Sequence, residues 1–203
     1  MNGLPRVDYQ FPDGTGTGPL IALVGEAPGR EEVVQQKPFV GRSGQLLDAH
    51  LQSAGIVRPA CLIANVFRFQ PPGNKINHFF ASRRKALRLG VRVTEQFGPF
   101  GSCDYCLSEF AVEIEQLSRT LNDFKPAVIV ALGRTPLWAL TGLDGLLKRR
   151  GQITACRLLP EVKPEVKVVP TYHPSFLLRG QRHLEPLFQA DLRLAVALTD
   201  PSK

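Results

Sequence analysis

Three turns of the chain gather residue types that do chemistry. In PLIALVGEAPGREEVVQQKPFVG, residues 19–41, an apolar run ends in a turn where Glu26 is enclosed by Gly25, Ala27, Pro28 and Gly29, and Phe39 follows in surroundings that read as exposed. NVFRFQPPGN, residues 65–74, starts with Asn65, and YHPSFLLRG, residues 172–180, places His173 directly before a proline. A carboxylate and an imidazole are groups for proton and charge work, a primary amide offers a donor and an acceptor side by side, and an aromatic ring offers a stacking face. Taken singly, each has an ordinary explanation. A Gly–Pro turn after a strand commonly only turns the chain, a Phe before Val–Gly is commonly core, and a His before Pro can be a structural residue at a strand end.

The elements that must position these turns follow from periodicity. Residues 20–24 have the length and composition of a buried strand, and a helical pattern through Leu46, Leu47, Leu51 and Ala54 stops at Gly55. Residues 61–67 give a second strand, broken by QPPGN because neither proline can donate to a ladder. Residues 75–102 read as a basic insertion with one short helix around 81–88. An amphipathic helix over 107–123 precedes a third strand at 127–133, and TPLWALTG predicts a helix with Thr135 as N-cap and Pro136 at its first position. A fourth strand spans 166–172, and the spacing of Leu184, Phe188, Leu192, Ala195 and Leu198 marks a final helix. Residues 1–18, rich in Gly, Pro and Thr toward their end, predict a flexible lead-in. Strands alternating with helices predict an α/β domain with a largely parallel sheet, helices on both faces and ligands bound beyond the carboxyl ends of the strands. The turns at 25–29, 65–74 and 173–179 are where chemistry is expected.

Bulk properties narrow the partners. A chain of 203 residues with 43% hydrophobic and 21% charged residues is the size of one domain and can bury a core. A formal charge of +7 and a pI near 9.5 favour a polyanion. The longest apolar runs fall far short of the ~20 residues that cross a bilayer, so no membrane partner is expected. The first residues lack the apolar core of a secretory signal, which predicts a cytoplasmic setting and reduced thiols at Cys61, Cys103, Cys106 and Cys156.

In order and approximate spacing, GEAPG, KPFVGRSGQLLD, NVFRFQPPGN and YHPSFLLRG resemble the motifs of the uracil-DNA glycosylase superfamily, most closely its family 4, the iron–sulfur type. VIVALGRTPLWALTG and RRGQ are similar to segments between them, so the likeness runs from about Leu20 to Leu198. The resemblance implies a three-layer α/β/α fold on a mostly parallel four-stranded sheet, and removal of uracil from single- or double-stranded DNA by a monomer. It implies that Phe39 stacks on a flipped uracil, that Asn65 pairs with its N3–H and O4 edge, and that Gly25 and Ala27 bring backbone close to the base. His173 would donate to O2 as charge builds there. For Glu26 it leaves two roles open: orienting water or supporting the cationic sugar, or acting as a steric gate near C5 of the base. The loop carrying Ser175, Leu177, Leu178 and Arg179 would enter the minor groove, with Leu177 or Leu178 as the wedge and Arg179 on phosphate.

The cysteines depart from that pattern. Family 4 enzymes hold a [4Fe–4S] cluster on a Cys-x-x-Cys pair ahead of the first strand, a third Cys before the Pro–Pro turn and a fourth soon after. Here the segment before residue 20 has no cysteine, Phe69 stands at the third position, and only Cys106 falls near the fourth. No metal and no cofactor are therefore expected, and the 75–102 insertion is expected to replace the lost clip by packing or by a longer loop, with its Arg and Lys residues on DNA phosphates. Two other functions are carried beside the glycosylase: a catalytically silent DNA- or uracil-binding module of the same fold, and a small-molecule- or nucleotide-binding α/β protein.

Overall fold

Strands buried on both faces need near-continuous apolar runs, and the strands IALVG, LIAN and VIVAL meet that demand, with Asn65 the one polar side chain, at the carboxyl end of its strand. The computed structural model describes residues 3–15, 20–162 and 165–200. Its elements, in chain order, are β1 (Ile21–Gly25), α1 (Arg30–Gln35), α2 (Gly41–Ser53), β2 (Leu62–Asn65), β3 (Phe80–Ser82), α3 (Arg83–Leu89), β4 (Asp104–Cys106), α4 (Ala111–Phe124), β5 (Val128–Leu132), α5 (Arg134–Thr141), α6 (Leu146–Arg149), β6 (Thr154–Ala155), β7 (Lys167–Thr171), α7 (Pro174–Leu178) and α8 (Glu185–Ala197).

The central sheet runs β2-β1-β5-β7-β6. Its first four strands are parallel, and β6 closes one edge antiparallel to β7. The sheet thus has five strands where four were expected, because a strand as short as Thr154–Ala155 carries no period to recognise. Successive residues of each strand serve opposite layers. Ala22, Val24, Ile129, Ala131 and Val168 pack under α3, α4 and α5, with Ile114, Leu117 and Trp138 in the same cluster. Ile21, Leu23, Val128, Val130 and Val169 face α2, α7 and α8 through Leu47, Leu51, Leu177, Phe188 and Leu192.

Both connecting segments are tied to the rest of the fold. The lead-in is not loose where it is described: Val7 N–H donates to Arg68 O at 2.8 Å, and Gln10 and Ile63 exchange backbone hydrogen bonds at 2.9 and 2.8 Å. It covers the free edge of β2, a row of backbone groups that would otherwise be open; residues 1–2 and 16–18 of that segment lie outside the described residues. The insertion is anchored from within, since β3 pairs with β4 and Phe79, Phe80, Phe97 and Phe100 are all buried. Phe80 stacks on Phe100 at 4.2 Å, and Phe79 meets Phe67 at 4.5 Å and Phe110 at 4.4 Å.

Two helix starts also differ. α5 is capped by Gly133 rather than Thr135, because the chain leaves β5 with a φ of 110° that favours glycine. After β7 the chain forms α7 with Pro174 in its first turn, where a loop was expected, and the His173 side chain caps it.

Candidate active site

Strand order reverses between β1 and β5: from β1 the chain passes to β2 on one side, and from β5 to β7 on the other. The carboxyl ends of two such strands diverge into a crevice that suits a ligand. A cavity of about 890 Å³ opens there, and its lining includes Glu26, Ala27, Phe39, Asn65, His173 and Arg179.

Register brings the first pieces together, with Gly25 opposite Asn65 at the end of the β1–β2 pair. A Cβ on Gly25 would stand 2.4 Å from Phe39 Cζ and 2.5 Å from Asn65 Oδ1, so only glycine lets ring and amide approach the backbone this closely. Phe39 is 4% exposed, which corrects its exposed look in the sequence. Its φ of 51° is left-handed, a conformation that costs roughly 1–3 kcal/mol at a non-glycine residue. Packing holds it there, because a Cβ on Gly44 of α2 would lie 2.0 Å from Phe39 O. The Phe39 ring stacks on His173 at 5.8 Å and 30°. Asn65 is 5% exposed, and its amide has no protein hydrogen-bond partner among the described residues. A buried amide left unpaired toward a cavity is a group waiting for a ligand.

Glu26 follows β1 and is half-buried. Its Oε2 accepts a 2.5 Å hydrogen bond from Thr135 Oγ1. Burial pushes its pKa up, and the Thr135 hydrogen bond and the cations of Arg179 and Arg134 pull against that rise. In the same turn Pro28 has no N–H and the Gly29 N–H donates to Glu32 Oε2 at 3.0 Å.

His173 ends the β7 segment. Ser175 N–H donates to its Nδ1 at 3.1 Å, Ser175 Oγ stands 2.8 Å from the same nitrogen, and Arg179 Nη1 donates to that hydroxyl at 3.3 Å. An Nδ1 that accepts leaves the ring proton on Nε2. Burial, followed by the Arg179 cation, pushes the His173 pKa down to about 4, so the ring is neutral at physiological pH.

The structure therefore brings Gly25, Glu26, Ala27, Phe39, Asn65, His173, Ser175 and Arg179 to one cleft. Leu177 is the exception: it is fully buried against the α2 and α8 side of the sheet, which removes it as a wedge and leaves Leu178, half-buried, for that part. Ser175 is turned toward His173 rather than free for DNA. Thr135 and Arg134 were missed. Arg134 is held by two 2.7 Å hydrogen bonds to Asp144, which fixes the start of the segment carrying Leu146, Leu147 and Lys148 at the cleft.

The cysteines do not fit a four-thiolate cluster. Cys61 packs on one face of the sheet, and Cys106 and Cys156 pack on the other. Burial raises their thiols to about 12, 12 and 11 respectively, while Cys103 is exposed. Phe69, at the position of the family's third ligand, bridges to Arg6 and packs on the core. Among the described residues no three His, Cys, Asp or Glu side chains are grouped to hold a metal.

Comparison with known proteins adds the ancestry. The profile of the uracil DNA glycosylase superfamily matches residues 11–194. A type-4 uracil-DNA glycosylase of Thermotoga maritima is 35% identical over 162 residues, covering 79% of this chain and 67% of the relative. Enzymes of the same name from Archaeoglobus fulgidus and Pyrobaculum aerophilum are 31% and 28% identical over 163 and 190 residues, covering 78% and 90% of this chain and 66% and 82% of theirs.

Proposed function

The chain belongs to the uracil-DNA glycosylase superfamily, and from that membership and the cleft we propose that it hydrolyses the N-glycosidic bond of uracil in DNA, leaving an abasic site for base-excision repair. The observation that carries the proposal is the convergence of Glu26, Phe39, Asn65 and His173 on one cavity at the strand-order reversal.

A base inside a duplex is out of reach, so the nucleotide is taken out of the stack at a cost of a few kcal/mol. Phe39 offers the extruded ring a face worth roughly 1–3 kcal/mol. Asn65 accepts from uracil N3–H and donates to O4; cytosine presents the opposite pattern and leaves both groups unpaired. As the C1′–N1 bond breaks, its electron pair stays on uracil and spreads to O2. The neutral His173 ring donates its Nε2–H there, in a site whose donor is already oriented by Ser175. Glu26 is assigned to the sugar side, where a carboxylate supports the positive C1′ and orients the water whose oxygen forms the new bond there. The water's proton is released as the abasic hydroxyl forms, and uracil leaves after protonation of its anion. Leu178 and Arg179 are assigned to the DNA, as apolar plug and phosphate contact. We propose that it acts as a monomer, in keeping with a cleft that takes one extruded nucleotide, and that it works in the cytoplasm.

The test is single-turnover release of uracil from an oligonucleotide with one labelled uracil, single-stranded and paired with G or A, beside His173→Ala and Asn65→Ala proteins. Release that falls by orders of magnitude in both variants is expected. No release by the wild type, with salt-sensitive DNA binding retained, would move the assignment to a silent binding module.

A further inference from the structure

Thr135 is fully buried, and its hydroxyl is directed at the cleft carboxylate rather than at its own helix. The two partners lie 109 residues apart in sequence. They follow the two strands that flank the order reversal, so the contact spans the crevice floor where β1 and β5 part. A buried hydroxyl needs a partner, and a carboxylate with little water around it needs a donor. Each meets the other's need, and Oε1 of Glu26 is left without a protein donor among the described residues.

We propose that Thr135 is a positioning residue for the reaction: its hydroxyl fixes the rotamer and charge of the Glu26 carboxylate, presenting Oε1 to the sugar and water. The proposal rests on the role given to Glu26 above. Charged groups around Glu26 come from several elements. Arg134 at the start of α5 and Arg179 after α7 lower its pKa through their fields. Glu32 of α1, Asp144 and Lys148 of α6 line the same cavity. Glu32 is bound to Gly29 N–H and Asp144 to Arg134, while His173 is neutral above about pH 4. Among these, the Thr135 hydroxyl makes the direct hydrogen bond to the carboxylate.

The experiment compares wild type, Glu26→Gln, Thr135→Val, Thr135→Ala and Thr135→Ser. Single-turnover uracil release is followed across pH, and affinity for uracil-containing DNA is measured separately. Losing the hydroxyl is expected to slow release about tenfold or more in the Val and Ala proteins, with DNA affinity unchanged. The acidic limb of the rate profile should move to higher pH, because the donor that favours the ionised carboxylate is gone. Thr135→Ser should keep the wild-type rate and limb. Two lacking variants guard against one that fails to fold. If Glu26→Gln is slow while Val and Ala match wild type in rate and limb, the positioning role is overturned and Glu26 keeps its own. If Ser is as slow and as shifted as Val, packing rather than the hydroxyl is responsible, and the proposal is again overturned. If Glu26→Gln is as fast as wild type, the role given to Glu26 fails and Thr135 loses its purpose with it.

Discussion

The backbone N–H of Ser175 donates to His173 Nδ1 at 3.1 Å, which places the proton of a neutral imidazole on Nε2. The pKa near 4 follows from burial first and the Arg179 cation second. The rate of uracil release should therefore show no limb at the ordinary histidine value of about 6.5. An NMR titration of the ring checks this: an Nε2–H tautomer with a midpoint far below 6 is expected, and a midpoint near 6.5 would sink the assignment.

The same group links stability to pH. Unfolded, His173 titrates near the ordinary histidine value of 6.5, and folded it titrates near 4, so between these values the unfolded chain binds more protons. Its contribution is fully present above pH 6.5 and is lost as pH falls toward 4. Urea unfolding of wild type and His173→Asn over that window should give a steeper decline for wild type. Parallel slopes would show that the ring is not held neutral by the fold.

Gly25 carries a sharper expectation. A methyl there would collide with the Phe39 ring at 2.4 Å and the Asn65 oxygen at 2.5 Å, and both belong to the base pocket. Gly25→Ala should displace one or both, and misplacement of about 1 Å in a site costs roughly a hundredfold in rate. Since the atoms met are the far ends of two side chains that line the cavity, most of the loss should fall on uracil release. Steady-state kinetics beside a thermal melt separate the two, and a folded variant with wild-type kinetics would contradict the described closeness.

How much of this could be seen in the sequence depends on the range of the interaction. The strands β1, β2, β5 and β7 announce themselves because burial on both faces demands unbroken apolar runs, and the turns that follow them hold the polar residues of the cleft. Helical periodicity likewise marks α2, α4 and α8. What stays hidden is set by tertiary contact. Thr135 reads as a helix cap because its hydroxyl's partner is 109 residues away. Leu177 and Leu178 are equivalent in sequence, and only the rotation of α7 against α2 and α8 decides that the first is core. The lead-in has loop composition, yet the open edge of β2 orders it through backbone groups that any sequence supplies.

A second stability prediction lies away from the cleft. Glu113 of α4 is 2% exposed and takes three hydrogen bonds from Arg68: 3.1 Å from the backbone N–H, 2.8 Å from Nε and 2.9 Å from Nη2. Arg68 also lies over the Tyr9 ring at 5.4 Å, so the pair ties the lead-in, the segment after β2 and α4 together. Glu113→Ala leaves a guanidinium with little water and only the exposed carboxylate of Asp8, 3.4 Å from Nη1, beside it, a change that costs about 3 kcal/mol, the lower end for breaking a buried pair. Arg68→Met with Glu113→Leu should recover most of it, because an apolar pair of similar volume needs no compensation. Urea midpoints of the two proteins decide; equal losses in both would mean that the charge pair itself contributes the stability.

The position of the cysteines predicts how the protein responds to a metal chelator. A cluster in this superfamily's family 4 clips the chain near the Pro–Pro turn, and here that region is held by different chemistry. Phe69 and Tyr9 pack on the core, Arg68 binds Glu113, and the aromatic group of Phe67, Phe79, Phe80 and Phe110 fills the space beside Cys106. Aromatic pairs of this kind add about 0.5–1.5 kcal/mol each beyond their buried area, so several can stand in for a clip. Prolonged exposure to an iron chelator and a mild oxidant should leave both the melting temperature and uracil release unchanged. Phe79→Ala or Phe110→Ala should instead lower stability by about 3–5 kcal/mol, since each opens a cavity in a fully buried cluster. Loss of activity on chelation, with iron and sulfide recovered in proportion to protein, would show that the thiols meet in a way the described packing does not allow.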